Sequence, residues 1–301
     1  AQMVAFQADK IAVLTPDQIV AMRKAQFQVL LPQQISALTT DQIPLIENAD
    51  IAGLSVAQMS VLDTAQFKSL TTDQIKALVP TQIGGLTANQ IQVMSLEQLA
   101  AIDSSDMSAI SADQITSFSA EKISNLSTAQ LAALLPSAIN AFNTSQAFAL
   151  TTEQVQALTQ TQVANINLDA LVSMDITQIQ AFETRDIAAL TASQLSNLST
   201  TQVQAITTDQ ISAIEARDLV AMNEGQIASL LPDRIVQLTT TQFAALETNQ
   251  LAALTPTQIG VIETVDLQVL SASQIKAFDV SQINALTTSQ GIALTATQIP
   301  A

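Results

Sequence analysis

An eight-residue repeat runs through the whole chain and limits the structures that the chain can form. Residues 70–77 read "LTTDQIKA", and close copies such as "LTTEQVQA", "LTTTQFAA" and "LTPTQIGV" occur further along. We label the octad a to h, with residue 70 at a and residue 77 at h. Steps of eight from Phe6 to Ala301 give 37 octads in 296 residues, without an insertion or deletion. Such regularity predicts a repeat architecture instead of a conventional globular domain.

Two positions of the octad carry large apolar residues. Position a is Leu, Ile, Met or Phe in all 37 octads, and position f is large and apolar in 35. The exceptions at f, Ala147 and Gly291, are each followed by a large residue, Phe148 and Ile292. A continuous α-helix does not fit, because eight residues at about 100° each would rotate the apolar stripe by roughly 80° per octad. A continuous strand would place a and f on opposite faces. The chain is therefore expected to change direction once per octad.

The polar positions indicate where each helix begins. Thr71 at b and Gln74 at e have the spacing of a capping box, in which each side chain binds the backbone amide of the other residue. Leu70 and Ile75 then occupy the positions of a hydrophobic staple around the helix start. Each octad is predicted to begin a new helix of about six or seven residues.

The prolines and the acidic residues agree with this register. Proline is tolerated at the first helical position, and acidic residues are favoured in the first turn. All 26 Asp and Glu residues fall at b, c, d or e, and only Pro44 and Pro300, at g, depart from the proline rule. The prolines at position c are Pro16, Pro32, Pro80, Pro136, Pro232 and Pro256.

Helices this short are unstable alone, so their a and f side chains must pack against neighbouring octads. The predicted fold is all-α: a solenoid of very short helices, one per octad, around a continuous apolar core, with c, d and g outside. A β-solenoid with stacked Thr and Gln side chains is the alternative. Two or three octads per superhelical turn are both compatible with the sequence. Residues 1–301 are expected to form a single array, which is a segment of a longer array or a filament subunit, because neither end carries a polar capping repeat.

The composition argues against several classes of function. A net charge of −16 disfavours nucleic acid and anionic membranes as partners. The chain has no His, no Cys and no Gly-rich phosphate loop, so we predict that it is not an enzyme. We also predict that it has no cofactor, with Ca²⁺ as the one ion considered below. Polar residues interrupt every apolar run before it could span a bilayer. Isolated basic residues such as Lys68 and Arg234 are interpreted as solvated charges.

One paired substitution is a candidate cation site. Wherever position e is Asp, position b is also acidic, and two carboxylates three residues apart could bind Ca²⁺ together with backbone oxygens of an adjacent octad. A capping pair stabilised by the helix dipole is the alternative interpretation, and Arg185 and Arg217 suggest local charge compensation. The pairs are Glu47 with Asp50, Asp103 with Asp106, Glu183 with Asp186, Glu215 with Asp218, and Glu263 with Asp266.

The consensus L-T-x-x-Q-I-x-A resembles octapeptide repeat arrays in very large secreted or surface proteins of bacteria, which are often described as adhesion or haem-utilisation-like. The resemblance implies an extracellular or cell-surface location. The 37 unbroken octads, the lack of end caps and the lack of a chemical site favour a structural protein: a stiff rod that forms an adhesin stalk, a sheath or a biofilm fibre and associates with itself end to end or laterally. Haem binding is not implied here, because His is absent. The alternatives are an acidic scaffold that binds Ca²⁺ or basic proteins and, less favoured, an ice-binding surface.

Overall fold

The computed structural model describes residues 6–299, and the chain divides into two compact units, Ala1–Leu150 and Thr151–Ala301. Every regular element among the described residues is a helix of three to six residues. The all-α prediction is therefore confirmed, and the β-solenoid alternative is not formed, since residues 6–299 contain no strand.

In the first unit two elements, Ile43–Leu45 and Ser104–Ala109, are 3₁₀-helices and the others are α-helices. The α-helices of this unit are Ala8–Ile11, Pro16–Val20, Lys24–Gln28, Pro32–Ile35, Asn48–Ile51, Val56–Ser60, Thr64–Lys68, Thr72–Lys76, Pro80–Ile83, Ala88–Val93, Leu96–Ala101, Ala112–Ile115, Ala120–Ser124, Thr128–Ala133, Pro136–Asn140 and Thr144–Phe148.

The described helices of the second unit are all α-helices. They are Thr152–Gln156, Gln160–Ala164, Leu168–Ser173, Ile176–Ala181, Thr184–Ile187, Ala192–Asn197, Thr200–Ala205, Thr208–Ile211, Ala216–Leu219, Glu224–Ser229, Pro232–Val236, Thr240–Ala245, Thr248–Ala252, Pro256–Val261, Thr264–Val269, Ala272–Lys276, Val280–Asn284 and Thr288–Ala293.

The helices begin where the capping chemistry predicts. Every described α-helix starts at position c, and Thr71 shows why: its extended backbone places its hydroxyl to accept from the Gln74 amide at 3.1 Å. The Thr71 amide donates to Gln74 Oε1 at 2.9 Å, which completes the capping box. The predicted helix length of about six or seven residues was too long for most octads, since the α-helices have four to six. The reason is a tight ending, in which the amide of Leu78 donates to the carbonyl of Ile75, three residues earlier, at 3.1 Å.

Pro44 accounts for the one described element that starts late. A residue at position g usually donates its amide to the carbonyl at c, as Ser36 does to Pro32 at 2.9 Å. Proline has no amide to donate, so this octad forms a turn followed by the 3₁₀-helix Ile43–Leu45. The second proline at g, Pro300, lies outside the described residues.

The apolar core consists of the a and f side chains. Position f is buried in every octad from Ile11 to Ile275, and position a in every octad from Met22 to Phe278. The large residues after the two exceptions at f do not replace them in the core, because Phe148 is 59% exposed and Ile292 is 80% exposed. The register of the octad is kept even where its apolar residue is missing.

Helices three octads apart pack side by side in each unit, which excludes two octads per turn. Thr72–Lys76 packs against Leu96–Ala101 in the first unit, and Ile176–Ala181 packs against Thr200–Ala205 in the second. Small residues at h permit this approach. A Cβ atom on Gly85 would lie 2.3 Å from a methyl group of Val56 in the preceding turn.

Candidate functional site

The Gln side chain at position e makes contacts in two directions. Gln74 is buried, and its Oε1 accepts from the Thr71 amide while its Nε2 donates to backbone carbonyls far back in the chain. The acceptors are Ile43 O and Ile46 O, 31 and 28 residues earlier, each at 2.8 Å. One planar amide thus caps its own helix and also satisfies two carbonyls of an earlier turn.

The same contacts recur in both units and form a ladder of buried amides, which we call the Gln ladder. In the second unit Gln226 donates to Leu195 O at 2.8 Å and to Leu198 O at 2.7 Å, with the same spacings of 31 and 28 residues. The capping box anticipates only the local half of this arrangement. A signal for the other half was present in the sequence: Glu would serve a capping box equally well, yet position e is Gln in 27 octads and Glu in none.

Two basic residues at position e, Lys122 and Arg234, substitute for Gln as donors. Lys122 is buried, its Nζ donates to Gln92 O at 2.8 Å, and burial lowers the pKa of its amino group. The side chain of Arg234 is only 15% exposed, and its Nε donates to Ile206 O, 28 residues earlier, at 2.8 Å. The interpretation of Arg234 as a solvated charge was therefore wrong. Lys68, at position g, is exposed as expected.

The structure buries the two carboxylates of each predicted acidic pair to different extents. The acidic residue at b is exposed in all five pairs, and in the four pairs other than Glu183 with Asp186 its side chain accepts no hydrogen bond from the start of the helix. The Asp at e occupies the position of the ladder Gln; Asp50, Asp186 and Asp266 are buried, and Asp106 and Asp218 are partly exposed. Glu183 and Asp186 keep the capping-box arrangement, whereas the acidic residue at b does not cap its helix in the other four pairs.

Asp186 is the most deeply buried of these residues, with no exposed surface. Its Oδ2 accepts from the Glu183 amide at 3.3 Å, and its Oδ1 has no hydrogen-bond partner among the described residues. The Arg185 Nε lies 2.8 Å from Glu183 Oε2 and 3.6 Å from Asp186 Oδ1, so this Arg compensates both charges. Burial, opposed by Arg185, raises the pKa of Asp186 to about 6.

Burial also raises the pKa of three other Asp residues at position e. For Asp50 and Asp106 the acidic residue at b of the same octad adds to the effect of burial. For Asp266 burial is opposed by a hydrogen bond from the Thr240 side chain. Desolvation of the charged form is the common physical cause.

Each acidic pair brings together two carboxylates. Across residues 6–299, no group of three or more acidic side chains is arranged to hold a metal ion. Arginine lies beside two of the pairs, with Arg217 Nε at 2.7 Å from Glu215 Oε2 and at 3.5 Å from Asp218 Oδ2. Ca²⁺ binding at the pairs stays a prediction.

Comparison with known families identifies repeats in the chain. Four segments match the model of the ALTTAQ repeat: residues 43–79, 123–160, 179–214 and 259–296. The chain is a repeat protein. A search of curated proteins found no match to it. In the described part of this repeat protein, no helix has the length and apolar character needed to cross a membrane.

Proposed function

We propose that this structural repeat protein forms the shaft of a stiff extracellular rod or filament, such as an adhesin stalk, a sheath or a biofilm fibre. The Gln ladder is the observation that carries the proposal. Within each unit, sliding one turn past the next would break buried hydrogen bonds such as Gln74 Nε2 to Ile46 O and leave the carbonyl without a partner. Each such unsatisfied group costs about 1–3 kcal/mol. The resemblance to repeats of secreted and surface proteins supports the extracellular location.

We further propose that the rod associates with copies of itself, end to end or laterally. Within each unit, one turn joins the next through the same buried apolar side chains and Gln side chains, and a second copy of the repeat carries the same groups. Contacts of this repeated kind can extend an assembly without closing it.

Electron microscopy of the purified chain tests the rod. We expect rods or fibres of constant width, because every turn repeats the same octad geometry. Compact particles of irregular outline would contradict the proposal.

Sedimentation velocity over a range of protein concentrations tests this association. We expect the sedimentation coefficient to rise with protein concentration. A single species with the same sedimentation coefficient at every concentration would contradict the proposal.

The acidic scaffold is the second candidate, favoured by the exposed carboxylates at position b, such as Glu47 and Glu263, and by the net charge of −16. Calorimetric titration with Ca²⁺ at millimolar concentration separates it from a passive rod, which would release no heat. Ice binding is less favoured, because most Thr hydroxyls at b are engaged as helix caps, and thermal hysteresis measures it directly.

A further inference from the structure

Position e carries a hydrogen-bond donor in most octads. Where it is Gln, Nε2 reaches the carbonyls 28 and 31 residues earlier, and where it is Lys122 or Arg234, a cationic group donates to a carbonyl 30 or 28 residues earlier. An ionised Asp has only acceptors. In five octads the ladder therefore places a carboxylate where the earlier turn offers carbonyl oxygens, and two acceptors cannot form a hydrogen bond.

Asp186 shows this conflict most clearly. By the register of the ladder its side chain takes the place of a donor to Val155 O and Leu158 O, 31 and 28 residues earlier. Asp186 has no exposed surface, and within residues 6–299 its Oδ1 finds no hydrogen-bond partner. Removal of a polar oxygen from water with nothing to replace its hydrogen bonds is unfavourable.

We propose that Asp at position e forms a proton-dependent link between turns, in which the protonated carboxyl group donates to the carbonyls that a Gln side chain would otherwise bind. The Asp side chain is one methylene group shorter than that of Gln, so a direct bond also draws the two turns closer together. The ladder is then permanent at its Gln positions and tightens in mild acid at its Asp positions. This inference does not depend on the proposed extracellular rod.

The charged groups around Asp186 come from several elements. On its own helix, Arg185 favours the ionised form and Glu183 opposes it. Of the helices packed against it, Gln160–Ala164 contributes no charged residue and Thr208–Ile211 contributes the exposed Asp209. The octad that holds the acceptor carbonyls contributes the exposed Glu153. The effect of burial, which raises the pKa of Asp186, outweighs the opposite effect of Arg185.

The direction of the pH effect follows from the pKa. The pKa of Asp186 is about 6 in the folded chain, and its ordinary value, which applies to the unfolded chain, is 3.8. The folded chain therefore binds the Asp186 proton more tightly than the unfolded chain does. The resulting stability is complete below pH 3.8 and is lost as the pH rises through about 6. This difference of roughly two pKa units corresponds to on the order of a 100-fold change in the unfolding equilibrium constant.

The test compares the full chain with Asp186→Gln and with Asp209→Asn, which removes an exposed charge from the neighbouring turn. Thermal unfolding followed by circular dichroism at pH 4.5 and 7.5 is the first measurement. Asp186→Gln should raise the unfolding midpoint at pH 7.5 and have a smaller effect at pH 4.5, because Gln donates at either pH. Asp209→Asn should change the midpoint equally at both pH values.

Titration of the Asp186 carboxyl carbon by NMR is the second measurement, and it should give a midpoint near pH 6. An equal gain for Asp186→Gln at both pH values, or a titration midpoint near that of an ordinary Asp, would overturn the proposal. So would stabilisation of the parent chain, but not of Asp186→Gln, by millimolar CaCl₂ at pH 7.5. In that case the carboxylate would hold a cation instead of a proton.

Discussion

The side-chain amide of Gln74 donates to the backbone carbonyl of Ile46, 28 residues earlier in the chain, over 2.8 Å. Both groups are buried, and the same Gln side chain also accepts from the amide of Thr71. Through this one residue the start of a helix and the spacing between turns depend on each other. Substitutions at position e should therefore affect stability more than helix propensity suggests.

The donor half of the Gln contact can be removed alone. Gln74→Glu keeps an oxygen to cap its own helix but loses the donor and buries a charge against two carbonyls. We expect the free energy of unfolding to fall by at least ~2 kcal/mol, measured by urea denaturation at pH 7.5. Gln28→Glu, at an exposed g position, is the control and should cost less than about 1 kcal/mol. Equal losses would show that the ladder contributes little.

Two adjacent threonines, both exposed, test the capping role of position b. Thr71 accepts from the Gln74 amide, whereas Thr72 is the exposed first residue of the same helix. Thr71→Ala should lower the free energy of unfolding by about 1 kcal/mol, and Thr72→Ala should leave it nearly unchanged. Urea denaturation of the two variants side by side measures this difference. A larger loss of stability for Thr72→Ala than for Thr71→Ala would show that the helix start has been assigned to the wrong residue.

Adjacent residues also test the burial pattern. Ile75 is 1% exposed and Lys76 is exposed. Ile75→Asp should destabilise the chain by at least ~3 kcal/mol, because it leaves a cavity and buries a charge. Lys76→Asp should cost only a few tenths of a kcal/mol. Thermal unfolding midpoints provide the comparison, and similar midpoints would refute the assignment of f to the core and g to the surface.

Arg234 should behave as a ladder residue and not as a surface charge. Arg234→Gln keeps a donor for the Ile206 carbonyl and is expected to change the free energy of unfolding by less than about 0.5 kcal/mol, whereas Arg234→Leu should cost about 1–3 kcal/mol. Arg217 is 77% exposed, and Arg217→Leu is the matched control. A small effect of Arg234→Leu, no larger than that of Arg217→Leu, would return Arg234 to the class of solvated charges.

The local structure was accessible from the sequence because its causes lie within one octad. Thr71, Gln74 and the prolines at c fix the helix start through bonds that span three residues, and the apolar residues at a and f follow as core. The role of position e was predicted only in part, because the capping box alone already explains why Gln recurs there. The second role of Gln74 joins residues 28 and 31 positions apart, and the sequence pattern does not show which turns meet.

The acidic pairs illustrate the same limit. Glu47 and Asp50 are three residues apart and look equivalent in sequence, but one is exposed and the other is buried in the ladder. Their different roles depend on the preceding turn. Arg234 was misread for the same reason, since its acceptor, Ile206, lies 28 residues away.

The central claim is that the Gln side chains at position e are buried donors between turns. Hydrogen exchange of Gln side-chain amide protons, followed by NMR in the full chain, tests it most directly. The Nε2 protons of Gln74 should exchange much more slowly than those of Gln92, which is exposed at position g. Equally fast exchange of the two would contradict the account, because it would leave the turns without their hydrogen-bonded connection.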